Sequence, residues 1–197
     1  MQLTPGTYRQ VGVLAAIAVI AGLADWRVGV ATAVAVPLVI WFHRDPDRDP
    51  PAEGVLAPAD GRISVIDHTA EHTRIGTFMN VTDVHVNRAP VEGTVTAVTH
   101  RPGANRPAFS KDSDRNERVE IVIETDDGEV QVILIAGWFA RRIHPYVTEG
   151  QRVARGERIG HISYGSRADV VLSGGDEPAV QRGTRVQAGE SVLIDRR

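Results

Sequence analysis

The chain has no cysteine among its 197 residues. Disulfides, thiolate metal sites and a cysteine nucleophile are therefore excluded. Lysine is almost missing as well. Of the 22 basic residues only Lys111 is a lysine, so any lysine-based chemistry would have to use it. Aromatic residues make up 5%, too few for a platform on which nucleic-acid bases stack. The net charge is −3, and no basic run offsets it, so nucleic acid is not an expected partner. H-x-H and H-E-x-x-H are absent, and with them the familiar zinc patterns. There is no G-x-S-x-G elbow and no glycine-rich phosphate loop.

What is present divides into two regions. Val11–Ala24 and Val28–Phe42 are nearly uncharged apolar runs separated by Asp25, Trp26 and Arg27. Each run is shorter than the roughly 20 residues of a straight membrane-spanning helix. The pair reads as a helical hairpin over residues 1–42 that dips into or crosses a membrane. Trp26 and Trp41 suit interfacial anchoring, and Arg44 and Arg48 favour a cytoplasmic body. A signal peptide fits less well, because a second apolar run follows directly.

Residues 43–54, "HRDPDRDPPAEG", are charged, carry Pro46, Pro50 and Pro51, and read as a linker. From residue 55 onward the pattern is β. "GRISVI", "GTVTAV", "RVEIVIET", "EVQVILIAG", "ERIGHIS" and "ADVVL" are short β-branched runs between glycine turns. No amphipathic helical run of ten residues follows residue 54. The body, residues 55–197, is expected to be mainly β, a barrel-sandwich or β-sandwich.

An internal repeat supports this. "VTEGQRVARGERIG" from Val147 and "VQRGTRVQAGESVL" from Val180 both fit V-x-x-G-x-R-V-x-x-G-E. Each unit reads as turn, strand, glycine turn, strand. Lipoyl and biotinyl carriers use similar units. A carrier needs its lysine on a hairpin between them, and Lys111 lies elsewhere.

Candidate chemistry is scattered. In "FMNVTDVHVNRAP", residues 78–90, Asp83, His85 and Asn87 alternate, as on one face of a strand. Asp60 precedes a glycine in "APADGRIS", which is also ordinary turn chemistry. "DRNERVEI" brings Asn116, Glu117 and Arg118 to a strand entrance. Arg141 and Arg142 follow "AGWFA" and could clamp a phosphate. His68 and His72 fall in a polar stretch that reads as a loop. His161 lies on a strand. Gly165-Ser166 is the only Gly-Ser dipeptide and interrupts a strand-like run, "HISYGSRADVVL".

Taken together, "PADG", "FMNVTDVHVNRAPVEG", "NER", "IAGWFARRI", "VTEGQRVARGERIG" and "YGSRADV" stand in the order seen in phosphatidylserine decarboxylases. The chain resembles the short bacterial and archaeal type, which includes enzymes for the ether lipid archaetidylserine. The resemblance runs from the first apolar segment to about Ile194.

It implies a self-cleaving proenzyme, cut between Gly165 and Ser166 into a β chain, 1–165, and an α chain, 166–197. It implies a pyruvoyl group made from Ser166, with neither metal nor pyridoxal phosphate. The ketone would form a Schiff base with the serine head group of a phospholipid and accept the electrons left as carbon dioxide departs. Asp60 and His85 would complete a triad with Ser166, with His85 as base and Asp60 as its orienter. Longer relatives resemble D-x-H-x-x-H, and here Arg88 takes the second histidine's place. Whether His85 serves both self-cleavage and the later protonation is left open. The family suggests a homodimer. On chemical grounds Arg88, Arg141 or Arg142 would meet the phosphodiester at the membrane surface.

Two other readings are weaker. Lysostaphin-type zinc peptidases share a similar β pattern but need a late H-x-H, and no histidine follows His161. A non-enzymatic, membrane-anchored β domain would explain the hairpin and the repeat, but not the ordered polar motifs.

Overall fold

A computed structural model describes residues 2–103, 116–137, 143–162 and 166–196. The chain forms two compact units, Met1–Asp47 and Arg48–Arg197.

In the first unit, β1 (Gln2–Leu3) pairs antiparallel with β2 (Arg44–Asp45), and between them run α1 (Thr7–Ala24) and α2 (Trp26–Phe42). Asp25 makes the reversal. Its backbone is extended, its N–H donates to the Ala21 carbonyl at the end of α1, and its carboxylate accepts from the Arg27 N–H at 2.8 Å. It thus caps α2 in the usual way. Gly22 and Gly29 let the helices touch: a Cβ built on Gly29 would lie 2.5 Å from the Gly22 Cα. Small residues at such a crossing are how apolar helices pack without a water-driven core. Leu23, Ile20, Val19 and Leu38 are exposed. By length and composition α1 is sufficient to cross a membrane, and α2 is slightly shorter.

The second unit is mainly β, as expected. Its strands are β3 (Val55–Leu56), β4 (Gly61–His68), β5 (His72–Met79), β6 (Val86–Arg88), β7 (Gly93–Arg101), β8 (Arg118–Thr125), β9 (Gly128–Ile135), β10 (Ile143–Pro145), β11 (Arg152–Val153), β12 (Arg158–Ile162), β13 (Ser166–Ser173), β14 (Arg185–Val186) and β15 (Val192–Ile194). A curled eight-stranded sheet runs β11-β7-β8-β9-β13-β5-β4-β14, flanked by β10-β12-β6 and β15-β3. Alternation decides which side is core. In β8, Val119, Ile121 and Ile123 are buried, and in β9, Val130, Val132 and Leu134. Each of these side chains is worth about 1.5–3 kcal/mol on burial.

The fold contains a second repeat that the linear pattern hides. "APADGRISVI" from Ala57 and "APVEGTVTAV" from Ala89 occupy equivalent places. The Ala57 carbonyl accepts from Gly189 N–H, and the Ala89 carbonyl from Gly156 N–H. Gly183 N–H donates to Ile63 O as Gly150 N–H donates to Val95 O. The β4–β5 ladder shifts register between Ile63 and Val65, and the β7–β8 ladder between Val95 and Ala97. The four repeat glycines, Gly150, Gly156, Gly183 and Gly189, all have φ between 73° and 87°, the left-handed region that favours glycine. The repeats from Val147 and Val180 therefore do form the expected turn–strand–turn–strand units, each closing one half.

Two local expectations change. "FMNVTDVHVNRAP" is not one strand. β5 stops at Met79, and a turn follows in which Asp83 Oδ2 accepts from Asn80 N–H at 2.8 Å. Asn and Asp side chains offer the backbone this alternative to a ladder. β6 is only three residues long. His68 and His72 are not in a loop either. They end β4 and begin β5 across a hairpin turn, where Thr69 N–H donates to His72 O.

Candidate active site

Ser166 opens β13, which lies between β5 and β9, and it pairs directly with Met79. It is fully buried, and its hydroxyl donates to Met79 Sδ at 3.2 Å. Gly165, the other half of the dipeptide, lies outside the described residues, as do Arg141, Arg142 and Lys111.

His85 stands just before β6 and is 2% exposed. Ile162 N–H donates to its carbonyl at 3.2 Å. Ile162 ends β12 only four residues before Ser166, so chain length keeps the two Cα atoms within about 15 Å. His85 is thereby tied to one end of the short segment whose other end is Ser166. The His85 ring is oriented by the main chain: its Nδ1 hydrogen bonds Asp83 O at 2.9 Å. A carbonyl can only accept, so Nδ1 carries the proton and Nε2 of the neutral ring carries the lone pair.

Asp60 sits in the turn between β3 and β4. Arg48 donates to both its oxygens at 2.9–3.0 Å, and Ala188 N–H donates to Oδ1 at 2.8 Å. Burial pushes the Asp60 carboxyl above the usual carboxylate range, against the pull of the Ala188 N–H and the Arg48 charge; nearby Asp83 adds to the upward push. Arg48 also donates to Glu190 at 2.8 Å. That bond, together with Asp49 N–H, outweighs burial and holds the Glu190 carboxyl low. Asp83 completes the polar group. It accepts from Arg185 at 3.2 Å, while its carbonyl holds His85.

Arg88 donates to the Gly156 carbonyl at 2.9 Å and is buried with its stem against Gly189. Asn116 is also internal and donates to Ala136 O at 2.8 Å. His161 stacks on His144 at 4.5 Å and hydrogen bonds the Tyr146 hydroxyl at 2.7 Å.

A polar cleft of about 230 Å³ opens beside Asp60, lined by Gly61, Arg62, Phe78, Asn80, Asp83 and Arg185. At the equivalent place in the other half is a larger cleft of about 490 Å³, with Glu92, Gly93, Glu124 and Arg152 among its walls. Neither cleft is lined by Ser166 or His85. Among the described residues no group of histidines and carboxylates is arranged to hold a metal ion.

Sequence reasoning missed three participants. Arg48 reads from sequence only as a charge that favours a cytoplasmic body, yet its side chain is 7% exposed and clamps Asp60. Arg185 belongs to the second glycine repeat and gave no separate signal. Asp169 is wholly buried three residues after Ser166, bound by Arg167 and Arg74. The "SRAD" spacing places Arg167 and Asp169 on one face, which was the available clue.

Comparisons with known proteins place the chain among its relatives. The family model described as phosphatidylserine decarboxylase matches residues 37–194. A Halobacterium salinarum protein, provisionally named an archaetidylserine decarboxylase proenzyme, is 54% identical, covering 90% of this chain and 89% of its own. Phosphatidylserine decarboxylase proenzymes of Thermobifida fusca and Streptomyces coelicolor are 52% and 46% identical. They cover 82% and 86% of this chain, and 77% and 81% of their own lengths. The chain belongs to the phosphatidylserine decarboxylase family of carboxy-lyases.

Proposed function

We propose that this protein is a self-cleaving proenzyme which decarboxylates a serine phospholipid, phosphatidylserine or archaetidylserine, to the ethanolamine lipid and carbon dioxide. The observation that carries the reading is Ser166 itself, a wholly buried hydroxyl at the start of a strand hydrogen-bonded on both sides.

The cut would fall between Gly165 and Ser166. His85 Nε2 takes the Ser166 hydroxyl proton, and Oγ adds to the preceding carbonyl carbon. Asp60, clamped by Arg48, would be the third member of the triad. The residues fit a pyruvoyl group at position 166. β13 would remain paired with β5 and β9 after the cut, so the new α-chain end keeps its place. Such a group supplies an electron sink for decarboxylation, so that no separate cofactor is needed. His85 is then the candidate proton donor to the product carbon.

The hairpin α1–α2 holds the enzyme at the cell membrane, with the body on the cytoplasmic side. Arg44 over Trp41, at 4.3 Å, suits an interfacial belt. Arginine meets the lipid phosphodiester. Arg62 and Arg185 line the cleft beside Asp83, and Arg88, Arg141 and Arg142 are the candidates named from sequence. The mature enzyme pairs the α chain with the β chain and assembles as a homodimer.

Intact mass spectrometry of the purified chain beside Ser166→Ala tests the reading. Two fragments, 1–165 and 166–197, are expected, with a pyruvoyl group at the second N-terminus, and one uncut chain in the variant. A folded wild-type chain that stays whole would overturn it.

A further inference from the structure

The duplicated body contains its own control. Asp60 in "APADG" and Glu92 in "APVEG" hold equivalent places, and Glu190 and Glu157 end the equivalent glycine turns. One half is plain. Glu92 is exposed, and Glu157 Oε2 accepts from Ala154 N–H of its own turn at 2.7 Å. In the other half both carboxylates meet Arg48 instead. Asp60 accepts from Nη2 at 2.9 and 3.0 Å, and Glu190 from Nη1 at 2.8 Å. Gln187 N–H, equivalent to that of Ala154, donates to Ser191 Oγ at 2.9 Å. The β scaffold thus closes one half without a buried arginine, so the fold alone does not call for Arg48 in the other.

The pair is nearly hidden. The Arg48 side chain is 7% exposed and that of Asp60 13%. Such a pair often stabilises no more than apolar packing would. Its place gives it another use. Arg88 N–H donates to Pro58 O at 2.9 Å, which ties β6 to the turn bearing Asp60, and His85 directly precedes β6.

We propose that Arg48 is a positioning residue for self-cleavage, whose guanidinium fork fixes the Asp60 carboxyl in its ionised form while the Ser166 hydroxyl proton passes to His85. The inference rests on the self-cleaving reading above and on the place of Asp60 in the triad. Burial drives Asp60 toward its neutral acid, and Asp83 adds to that push; Ala188 N–H and the Arg48 charge oppose it. The charges around this group are themselves engaged. Glu190 is held by Arg48 and feels Arg88, and Arg185 is bonded to Asp83. A neutral Asp60 cannot offset the positive charge that His85 gains with the proton. Without Arg48 the neutral form persists to higher pH.

The test follows cutting of the full-length chain by intact mass from the start of cell-free synthesis, across a range of pH. Arg48→Gln should cut at least about tenfold more slowly than wild type near neutral pH. The gap should close in alkali, where Asp60 ionises unaided, so the pH below which cutting slows should rise by at least about one pH unit. Arg48→Lys keeps the charge and should recover most of the rate. Adding Arg48→Gln to Asp60→Asn should slow cutting no further. Folding is read by Tm in a Ser166→Ala background, and where Arg48→Gln does not fold, Arg48→Lys carries the same pH comparison with a smaller shift. Cutting at the wild-type rate, a slowing equal at every pH, no recovery with lysine, or added slowing in the Asp60→Asn chain would each overturn the role given to Arg48. Asp60→Asn cutting at the wild-type rate would instead overturn the place of Asp60, and a wild-type chain that never cuts would overturn the self-cleaving reading itself.

Discussion

Asp169 ties β13 to β5. It lies opposite Gly76 in the β13–β5 ladder, and a Cβ on Gly76 would come within 2.6 Å of its Oδ1, so the glycine makes the room. Arg167 donates to it at 2.8 and 3.0 Å, and Arg74 at 2.8 and 2.6 Å. The Asp169 side chain is 0% exposed, Arg167 5% and Arg74 24%. Replacing Asp169 with Ala leaves two guanidinium groups without that carboxylate. Removing one partner of a buried pair costs about 3–5 kcal/mol. Arg74 is partly screened by water, which favours the lower half, about 3–4 kcal/mol. For a chain of this size each kcal/mol lowers Tm by about 2–4 °C, so the expected loss is roughly 6–16 °C. The assay is thermal unfolding of Asp169→Ala against its parent, both carrying Ser166→Ala so that neither is cut. Under the proposed cut between 165 and 166, gel filtration in mild urea should show the 166–197 fragment of Asp169→Ala leaving sooner than that of its parent. A Tm within 2 °C of the parent would refute the reasoning, because the ion cluster would then carry no net weight.

Two further outcomes follow from the same geometry. Gly61 has φ +149°, and an added Cβ would lie 2.0 Å from the Phe78 carbonyl oxygen, so Gly61→Ala should cost at least about 3 kcal/mol and sharply reduce folded yield. Normal yield and Tm would show that the β4–β5 ladder gives way easily. Burial raises the Asp60 carboxyl pKa, so folding takes up a proton at pH above the ordinary carboxylate value of 3.8. This group's contribution is present below that value and fades as pH rises through the raised pKa. The stability of wild type minus that of Asp60→Asn should therefore grow as pH falls from about 6 toward 4, as read by urea unfolding. A flat difference would contradict the assigned direction.

Much of the body was legible because strands announce themselves through alternation. "RVEIVIET" is β8 residue for residue, and the Val147 and Val180 repeats are closed by glycines with matching φ. The hairpin was legible too, although α1 begins at Thr7, earlier than the apolar run, because the polar residues before Val11 continue its first turns. The second repeat, at Ala57 and Ala89, is not legible in the linear sequence. Its halves share only Ala-Pro and one glycine by identity, and what relates them is hydrogen bonding to distant segments. The Asp83–His85–Asn87 alternation suggested one strand. The Asn80–Asp83 turn broke it, since a local side chain captured the backbone N–H first.

By itself the sequence determined the division into an apolar hairpin and a β body, the exclusion of cysteine, zinc-motif and carrier chemistry, and the singular Gly-Ser dipeptide. Those are properties of composition, period and spacing, which are local. Only the tertiary structure decided that Arg48 clamps Asp60, that the Asp83 carbonyl sets the His85 tautomer, and that Asn87 and Ser166 meet on the Met79 sulfur. These pairs lie as far apart as 87 residues in the chain. Their contacts arise from strand pairing across a closed core, where burial removes water as the alternative partner and makes each remaining hydrogen bond count.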